Sequence, residues 1–380
     1  MKNKIKIAII TNIITTYRKG FYDRIFNMED LHVEVYCQDS MPGMNLISIH
    51  KEYPKNVHII KYLSRKKEEF VFQYIPWLKI IKSFDVVFVA GNPRVISDFL
   101  FGTFCRLINK KIVLWTMAHS FRGNKYTENV RLVWSRLFPV IFVYTDKEVI
   151  FLKDKGFKKN YIIGMNNGLD QKKIDEAIAN LTIEYLENWK IKNNLNTKSI
   201  IISCARLDKK NNFMLVLKAL RNIIKEIPNF LWILIGDGDE EQMLKSEVEN
   251  MNLKDYVFFL GPIYEETKLA PYFLSASIFV HPSAIGLSLL LAFGFGLPVI
   301  VHGIEELHNP EFGAFTNGET GLIFEKDNHN DLSSKIISLL KSPEKIKDMG
   351  RRAQFIARNN YNVDVMAERF VEIAKYTQNK

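Results

Sequence analysis

A chain of 380 residues is too long for one ordinary domain and fits two of about 150–200 residues each. Its 47% hydrophobic and 25% charged content excludes a disordered chain. Its three cysteines, Cys37, Cys105 and Cys204, are far apart and in no metal or pairing spacing, which argues against a zinc site or a disulfide framework and favours a reducing compartment. The net charge of +10 divides into +13 over residues 1–165 and −3 over the remainder. A basic half beside a nearly neutral half suggests an anionic partner for the first. An anionic membrane face and nucleic acid are the two sharp choices, and a lysine-rich solvated surface is the bland one.

The N-terminal run Ile5–Ile10 has no small-residue cleavage site after it, so it reads as a first strand rather than a signal peptide. Further strands are expected at Val33–Cys37, Val86–Ala90, Ile112–Thr116, Val140–Tyr144 and Tyr161–Ile163. After a pause over Asn166–Thr197 they resume at Ile200–Ala205, Leu231–Gly236, Val257–Leu260, Ile278–His281 and Pro298–His302. These runs are apolar at consecutive positions, as strands buried on both faces of a parallel sheet are. Helical periodicity separates them, for example over Phe213–Ile227 and Leu332–Leu340. Alternating strands and helices predict α/β folding, with two tandem Rossmann-like, doubly wound parallel sheets and a ligand cleft between the domains. The expected division is 1–165 and 166–359, with a C-terminal helix over 360–380 packing back on the first domain.

Two segments invite a membrane reading. No Asp, Glu, Lys or Arg occurs between Lys268 and Glu305, but Gly286, Gly294, Gly296 and Pro298 break that run into turn, helix and strand. Arg65, Lys66 and Lys67 precede Phe70, Phe72, Tyr74 and Trp77. Cations beside aromatics suit an anionic bilayer surface, and a helix with an apolar core face is the structural alternative.

Candidate site residues lie after the strands. Arg206 and Lys210 place two cations after one strand, as neutralising a departing diphosphate requires. Gly236 and Asp237 lie where a glycine lets backbone approach a ligand. The run Ala284–Ser288 opens a helix whose N-terminal amides, at Gly286, Leu287 and Ser288, suit a phosphate. Glu311, on a loop after the last strong strand, offers a carboxylate to a sugar or ribose hydroxyl. In the N-terminal half, His119 follows a strand and suits a hydroxyl to be held or polarised. Tyr17 and Arg18 lie in the loop after the first strand.

The ordered series Ala205-Arg206-Leu, Lys210-Asn, Ile-Gly236-Asp237-Gly, Val257–Gly261, Pro282-Ser283, Gly286-Leu, Ala292-Phe and Gly296-Leu-Pro298-Val-Ile resembles the family 4 retaining glycosyltransferases of the GT-B architecture. Asn167-Gly168-Leu-Asp170 resembles their hinge. The form Ala284–Ile300 followed by His308-Asn-Pro-Glu311 is similar to a subgroup from bacterial surface-polysaccharide clusters.

The resemblance implies a hexosyl transfer with retention from a nucleotide-sugar donor, with no metal and no cofactor. The donor would lie on the C-terminal domain, and a glycan acceptor, expected to be lipid-linked, on the N-terminal one. Capsule, O-antigen, lipopolysaccharide or exopolysaccharide synthesis would follow, by a cytoplasmic protein peripheral to the inner face of the plasma membrane. Arg206 and Lys210 match the diphosphate pair, His119 the histidine near the transferred sugar, Gly236 and Asp237 the nucleotide turn, and Pro262, Ile263 and Tyr264 the base site.

Three departures stand out. Ser283 and Leu291 occupy the places of two family glutamates, so Glu311 is expected to substitute. Asn211 occupies the usual lysine position, with Lys210 one residue early. Thr15–Gly20 replaces a Gly-rich loop. The missing glutamates raise the alternative of a catalytically impaired nucleotide-sugar-binding or scaffold protein. A sugar-nucleotide epimerase is disfavoured by the basic half, and a nucleic-acid binder by scattered cations with no binding motif.

Overall fold

A computed structural model describes residues 4–41, 46–65, 70–92, 94–118 and 125–380. The described residues divide into two compact units, one formed by Met1–Leu169 with Asn362–Lys380 and one by Asp170–Tyr361. The chain leaves the first unit after Leu169 and re-enters it at Asn362.

The first unit holds strands β1 (Ile5–Ile10), β2 (Leu31–Cys37), β3 (Ser40–Met41), β4 (Leu46–Ile47), β5 (Val57–Ile59), β6 (Tyr62–Arg65), β7 (Phe70–Gln73), β8 (Val86–Ala90), β9 (Ile112–Trp115), β10 (Val140–Val143) and β11 (Tyr161–Gly164). Seven of them form a parallel sheet in the order β11-β10-β9-β8-β1-β2-β5. β8, β9 and β10 are buried along almost their whole length, because helices cover both faces.

The second unit holds β12 (Ser199–Cys204), β13 (Phe230–Ile235), β14 (Val257–Gly261), β15 (Ile278–Val280), β16 (Val299–His302) and β17 (Gly321–Phe324), in the parallel order β14-β13-β12-β15-β16-β17. The α/β class with two tandem parallel sheets is thus the observed one, the GT-B plan. β5 and β17 have no counterpart among the expected strands. Both are short and lie at sheet edges, where a few apolar residues suffice.

In the aromatic segment after Arg65, Phe70 and Phe72 lie on a strand, and only Trp77 opens a helix, Trp77–Ser83. β6 and β7 pair antiparallel, with Leu63 opposite Phe72 and Arg65 opposite Phe70. Val71 and Gln73 are buried while Phe70 and Phe72 are exposed, a period of two that identifies a strand.

The uncharged run near Pro298 resolves into helix Leu287–Gly294, a turn and β16. Gly296 ends the helix at φ +76°, and the Leu297 amide closes the turn on the Ala292 carbonyl at 2.9 Å. Among the described residues no helix is long and apolar enough to cross a membrane.

The C-terminal helix Val363–Asn379 completes the first unit. The Asn362 side chain caps it, accepting from the Asp364 and Val365 amides at 2.9 Å each. Phe370 stacks on Phe88 of β8 at 4.6 Å and meets Phe21 edge-on at 5.7 Å. Arg24 pairs with Asp364, Arg369 with Asp146 and Lys375 with Asp30.

Truncating fully buried Phe370 to Ala removes these ring contacts and is expected to cost about 3–5 kcal/mol. Urea denaturation of F370A against wild type measures it. A loss under about 1 kcal/mol would mean the tail helix is dispensable to the first unit.

Candidate nucleotide-sugar site

In the second unit the chain runs from β12 outward to β13 and β14, then returns past β12 to β15. The order reverses between β12 and β15, and open α/β sheets bind ligands at the carboxyl ends of strands flanking such a reversal. The loops that leave β12 and β15 carry the expected cations and the helix start.

The loop after β12 is stitched to the loop after β13. The Leu207 amide donates to the Asp237 carbonyl at 2.7 Å, and the Glu240 amide to the Leu207 carbonyl at 2.8 Å. Gly236 has φ +137°, and a Cβ there would sit 2.0 Å from the Ala205 carbonyl oxygen, so only glycine fits. Its amide donates to the Gly261 carbonyl at 2.9 Å, tying in the strand end that precedes Pro262, Ile263 and Tyr264. Asp237 and Tyr264 are exposed.

Within the β12 loop, Arg206 and Lys210 share one carboxylate. Arg206 Nε lies 3.6 Å from Asp208 Oδ1, and Lys210 Nζ lies 3.1 Å from Asp208 Oδ2. Two cations on one acid leave a net positive cluster. Both cations are more than half exposed, so their pairing with Asp208 is weak and an anion could compete for them at little cost. Asn211, which stands in the usual lysine position, is buried and folds the loop by donating from Nδ2 to the Arg206 carbonyl at 2.7 Å.

The loop after β15 closes on this cluster. Ser283 Oγ donates to the Lys210 carbonyl at 2.7 Å, so the serine in a family glutamate position serves as a loop tie. Gly286 caps helix Leu287–Gly294, and a Cβ on it would meet Asn309 Nδ2 at 2.7 Å. Leu287 and Ser288 open the helix, where amides lack intrahelical acceptors and favour an anion. Leu291 lies on the same helix and has no polar group.

The β16 loop braces that helix start. His308 Nδ1 accepts from the Ile285 amide at 3.1 Å, and its Nε2 donates to the His302 carbonyl at 2.9 Å. This assigns a neutral tautomer. The ring stacks between His302 at 4.1 Å and Phe312 at 4.0 Å. Burial holds His281 and His302 down to about 4, and His308 below its ordinary value. Glu311 belongs to the short turn Pro310–Ala314 that packs on the helix. It is buried, not the solvated loop residue its position alone would suggest.

In the first unit, Tyr17 is exposed and Arg18 half-buried in the loop after β1. The Arg18 guanidinium carbon lies 5.3 Å from the Trp115 ring and 5.2 Å from the Tyr144 ring. His119 lies outside the described residues; the preceding Ala118 amide donates to Glu148 at 2.8 Å. Glu148 also accepts from the Tyr144 amide at 2.8 Å and the Thr145 amide at 3.2 Å. Burial pushes its carboxyl up to about 7 against these donors. Neither Glu148 nor His308 was among the expected functional residues. The capping box Thr145-x-x-Glu148 is the sequence signal for the former; His308 has none beyond its place beside Pro310.

Residues 186–355 match the family model "Glycosyl transferases group 1". The matched stretch lies within the second unit. It is 29% identical over 314 residues to the N-acetyl-alpha-D-glucosaminyl L-malate synthase of Bacillus anthracis, covering 82% of this chain and 69% of that one. It is 32% identical over 129 residues to the alpha-monoglucosyldiacylglycerol synthase of Streptococcus pneumoniae, covering 32% of this chain and 29% of that one. The solved structure of Anabaena HepE in complex with UDP superimposes with a TM-score of 0.71 at 14% identity, covering 98% of this chain and all of that one. The curated relatives are thus matched over part of their length, whereas the fold is matched end to end.

The neutral buried histidines set a pH dependence. Their folded pKa lies below the ordinary value near 6.5, so unfolding takes up protons as pH falls through the window from about 6.5 to about 4. Stability is full above that window and is lost on acidification. Urea unfolding at pH 7, 6 and 5 is expected to show this fall, and H281N to flatten it; equal slopes would remove His281 as a contributor.

Proposed function

We propose that this chain is a hexosyltransferase that moves a sugar from a nucleotide-sugar donor to a glycan acceptor, with retention of anomeric configuration and without a metal. The observation that carries the reading is the cluster of Arg206 and Lys210 on one carboxylate, tied through Ser283 to the helix start at Gly286. Two exposed cations and a helix N-terminus at a strand-order reversal are what a diphosphate leaving group requires, since its charge grows as the glycosidic bond breaks. Gly236, Asp237 and Pro262–Tyr264 would hold the nucleoside. His119 would polarise a sugar hydroxyl, and Glu311 would accept from one. Tyr17 and Arg18 would lie on the acceptor side.

The acceptor we infer is lipid-linked, and the protein works at the cytoplasmic face of an anionic membrane in surface-polysaccharide synthesis, such as capsule, O-antigen, lipopolysaccharide or exopolysaccharide. The outer face of helix Ile96–Leu107 supports this. Ile96, Leu100, Phe104 and Leu107 are all exposed at helical spacing, and Leu63, Phe70 and Phe72 are exposed on β6 and β7. Apolar side chains within a unit of strong positive charge suit an anionic bilayer. The pneumococcal relative, a synthase of a glucosyl diacylglycerol by name, agrees with a lipid acceptor.

A second reading, a nucleotide-sugar-binding protein without turnover, rests on the loss of both glutamates. Ser283 donates its hydroxyl to the Lys210 carbonyl, and Leu291 has none.

UDP or GDP is expected to raise the melting temperature of the wild type. R206A and K210A are each expected to lower donor turnover about 10²–10³-fold, as loss of one leaving-group contact does. Nucleotide binding without hydrolysis or transfer across UDP-, GDP- and dTDP-sugars would favour the second reading. Turnover unchanged in E311Q would remove Glu311 from the chemistry.

For the membrane, L100E/F104E is expected to abolish co-sedimentation with phosphatidylglycerol vesicles and to leave donor hydrolysis intact. Undiminished sedimentation would exclude this face.

A further inference from the structure

Arg18 is a cation with no acid. Among the described residues no carboxylate pairs with it; its surroundings are the rings of Tyr17 at 5.9 Å, Trp115 at 5.3 Å and Tyr144 at 5.2 Å. Its Nε is sealed from solvent and has no hydrogen-bond partner. The same is true of Nε1 of Trp115, a residue only 7% exposed, and of Oγ1 of Thr15, also 7% exposed. Thr15 opens the turn that Arg18 closes, and its carbonyl accepts from the Arg18 amide at 3.1 Å.

These residues converge at the carboxyl end of the sheet. Thr15 and Arg18 follow β1, Trp115 ends β9 and Tyr144 follows β10. This edge contains the strand-order reversal of the first unit, between β1 and β8, where ligands bind.

Aromatic faces recover part of the cost of shielding a guanidinium, but they leave the Nε–H unused. A protein that needed Arg18 only as packing would do better with an uncharged residue. Three unused donors, an N–H of a guanidinium, an indole N–H and a hydroxyl, match the acceptor oxygens of one oxyanion.

We propose that Arg18, Trp115 and Thr15 form an oxyanion subsite that recognises a phosphate or carboxylate carried by the acceptor. The inference rests on the transferase reading for the word acceptor, but the subsite itself is tested without turnover. It makes the acceptor anionic near its reacting end, as a phosphate-linked or acidic sugar is. Tyr17, exposed beside Arg18, would cover the sugar that bears the anion.

Wild-type protein labelled with ¹⁵N at the indole nitrogen gives one N–H resonance for Trp115, assigned by its absence in W115F. Titration with inorganic phosphate, glycerol phosphate or glucuronate is expected to move that resonance saturably. Whether phosphate or carboxylate moves it at lower concentration names the anion. In R18Q the affinity is expected to fall at least tenfold, and R18K to recover part of it. UDP is expected to leave the Trp115 resonance in place while still raising the melting temperature, which separates this subsite from the donor site.

A Trp115 resonance unmoved by every anion at tens of millimolar overturns the proposal, even where UDP binds. A shift produced by UDP alone overturns the acceptor assignment. If R18Q fails to fold, the wild-type titration and R18K still decide it.

Discussion

The bond from the Ser283 hydroxyl to the Lys210 carbonyl joins the two loops that leave the second sheet on either side of its order reversal. Each loop is otherwise held from its far side. The β12 loop is fastened to the β13 loop through the bonds of Leu207 with Asp237 and Glu240, and the β15 loop to the β16 loop through His308 and Asn309. Ser283 closes the gap between these two braced halves. The cations on one half and the helix start on the other are thereby held together, as a diphosphate with charge on several oxygens needs.

This arrangement recasts the serine. A carboxylate at the same position would place a second negative charge close to Arg206 and Lys210, beside that of Asp208. The serine instead spends its hydrogen on a backbone carbonyl. Glu311 sits on a turn packed against helix Leu287–Gly294, carried by the next loop along the sheet. The neutral His308 braces that loop. Its ring accepts from the Ile285 amide on one side and donates to the His302 carbonyl on the other.

The first unit obeys the same rule with different side chains. Glu148 gathers the amides of Ala118, Tyr144 and Thr145, fixing the ends of β9 and β10 relative to each other. Trp115 and Tyr144, at those two ends, then present their rings to Arg18. In both units buried polar side chains such as Glu148, Asn211 and His308 fix the loops that follow the strands.

The parallel sheets were legible in the sequence because strands buried on both faces are apolar at every position. Runs such as Val86–Ala90 and Val140–Val143 have no other explanation at that length. Arg206, Lys210 and Gly236 were legible because they follow such runs directly, where a βα loop must emerge. The pair β6–β7 was not, since Phe70, Val71 and Phe72 are all apolar and only burial shows which face is inward. Nor were the roles of Ser283, Asn211 and His308, whose partners lie 73, 5 and 23 residues away. Local composition therefore determined the class, the strand ends and the cations. Only the tertiary structure decided which loops meet, because hydrogen bonds between loops depend on the order of strands in the sheet, and that order is not written in any one segment.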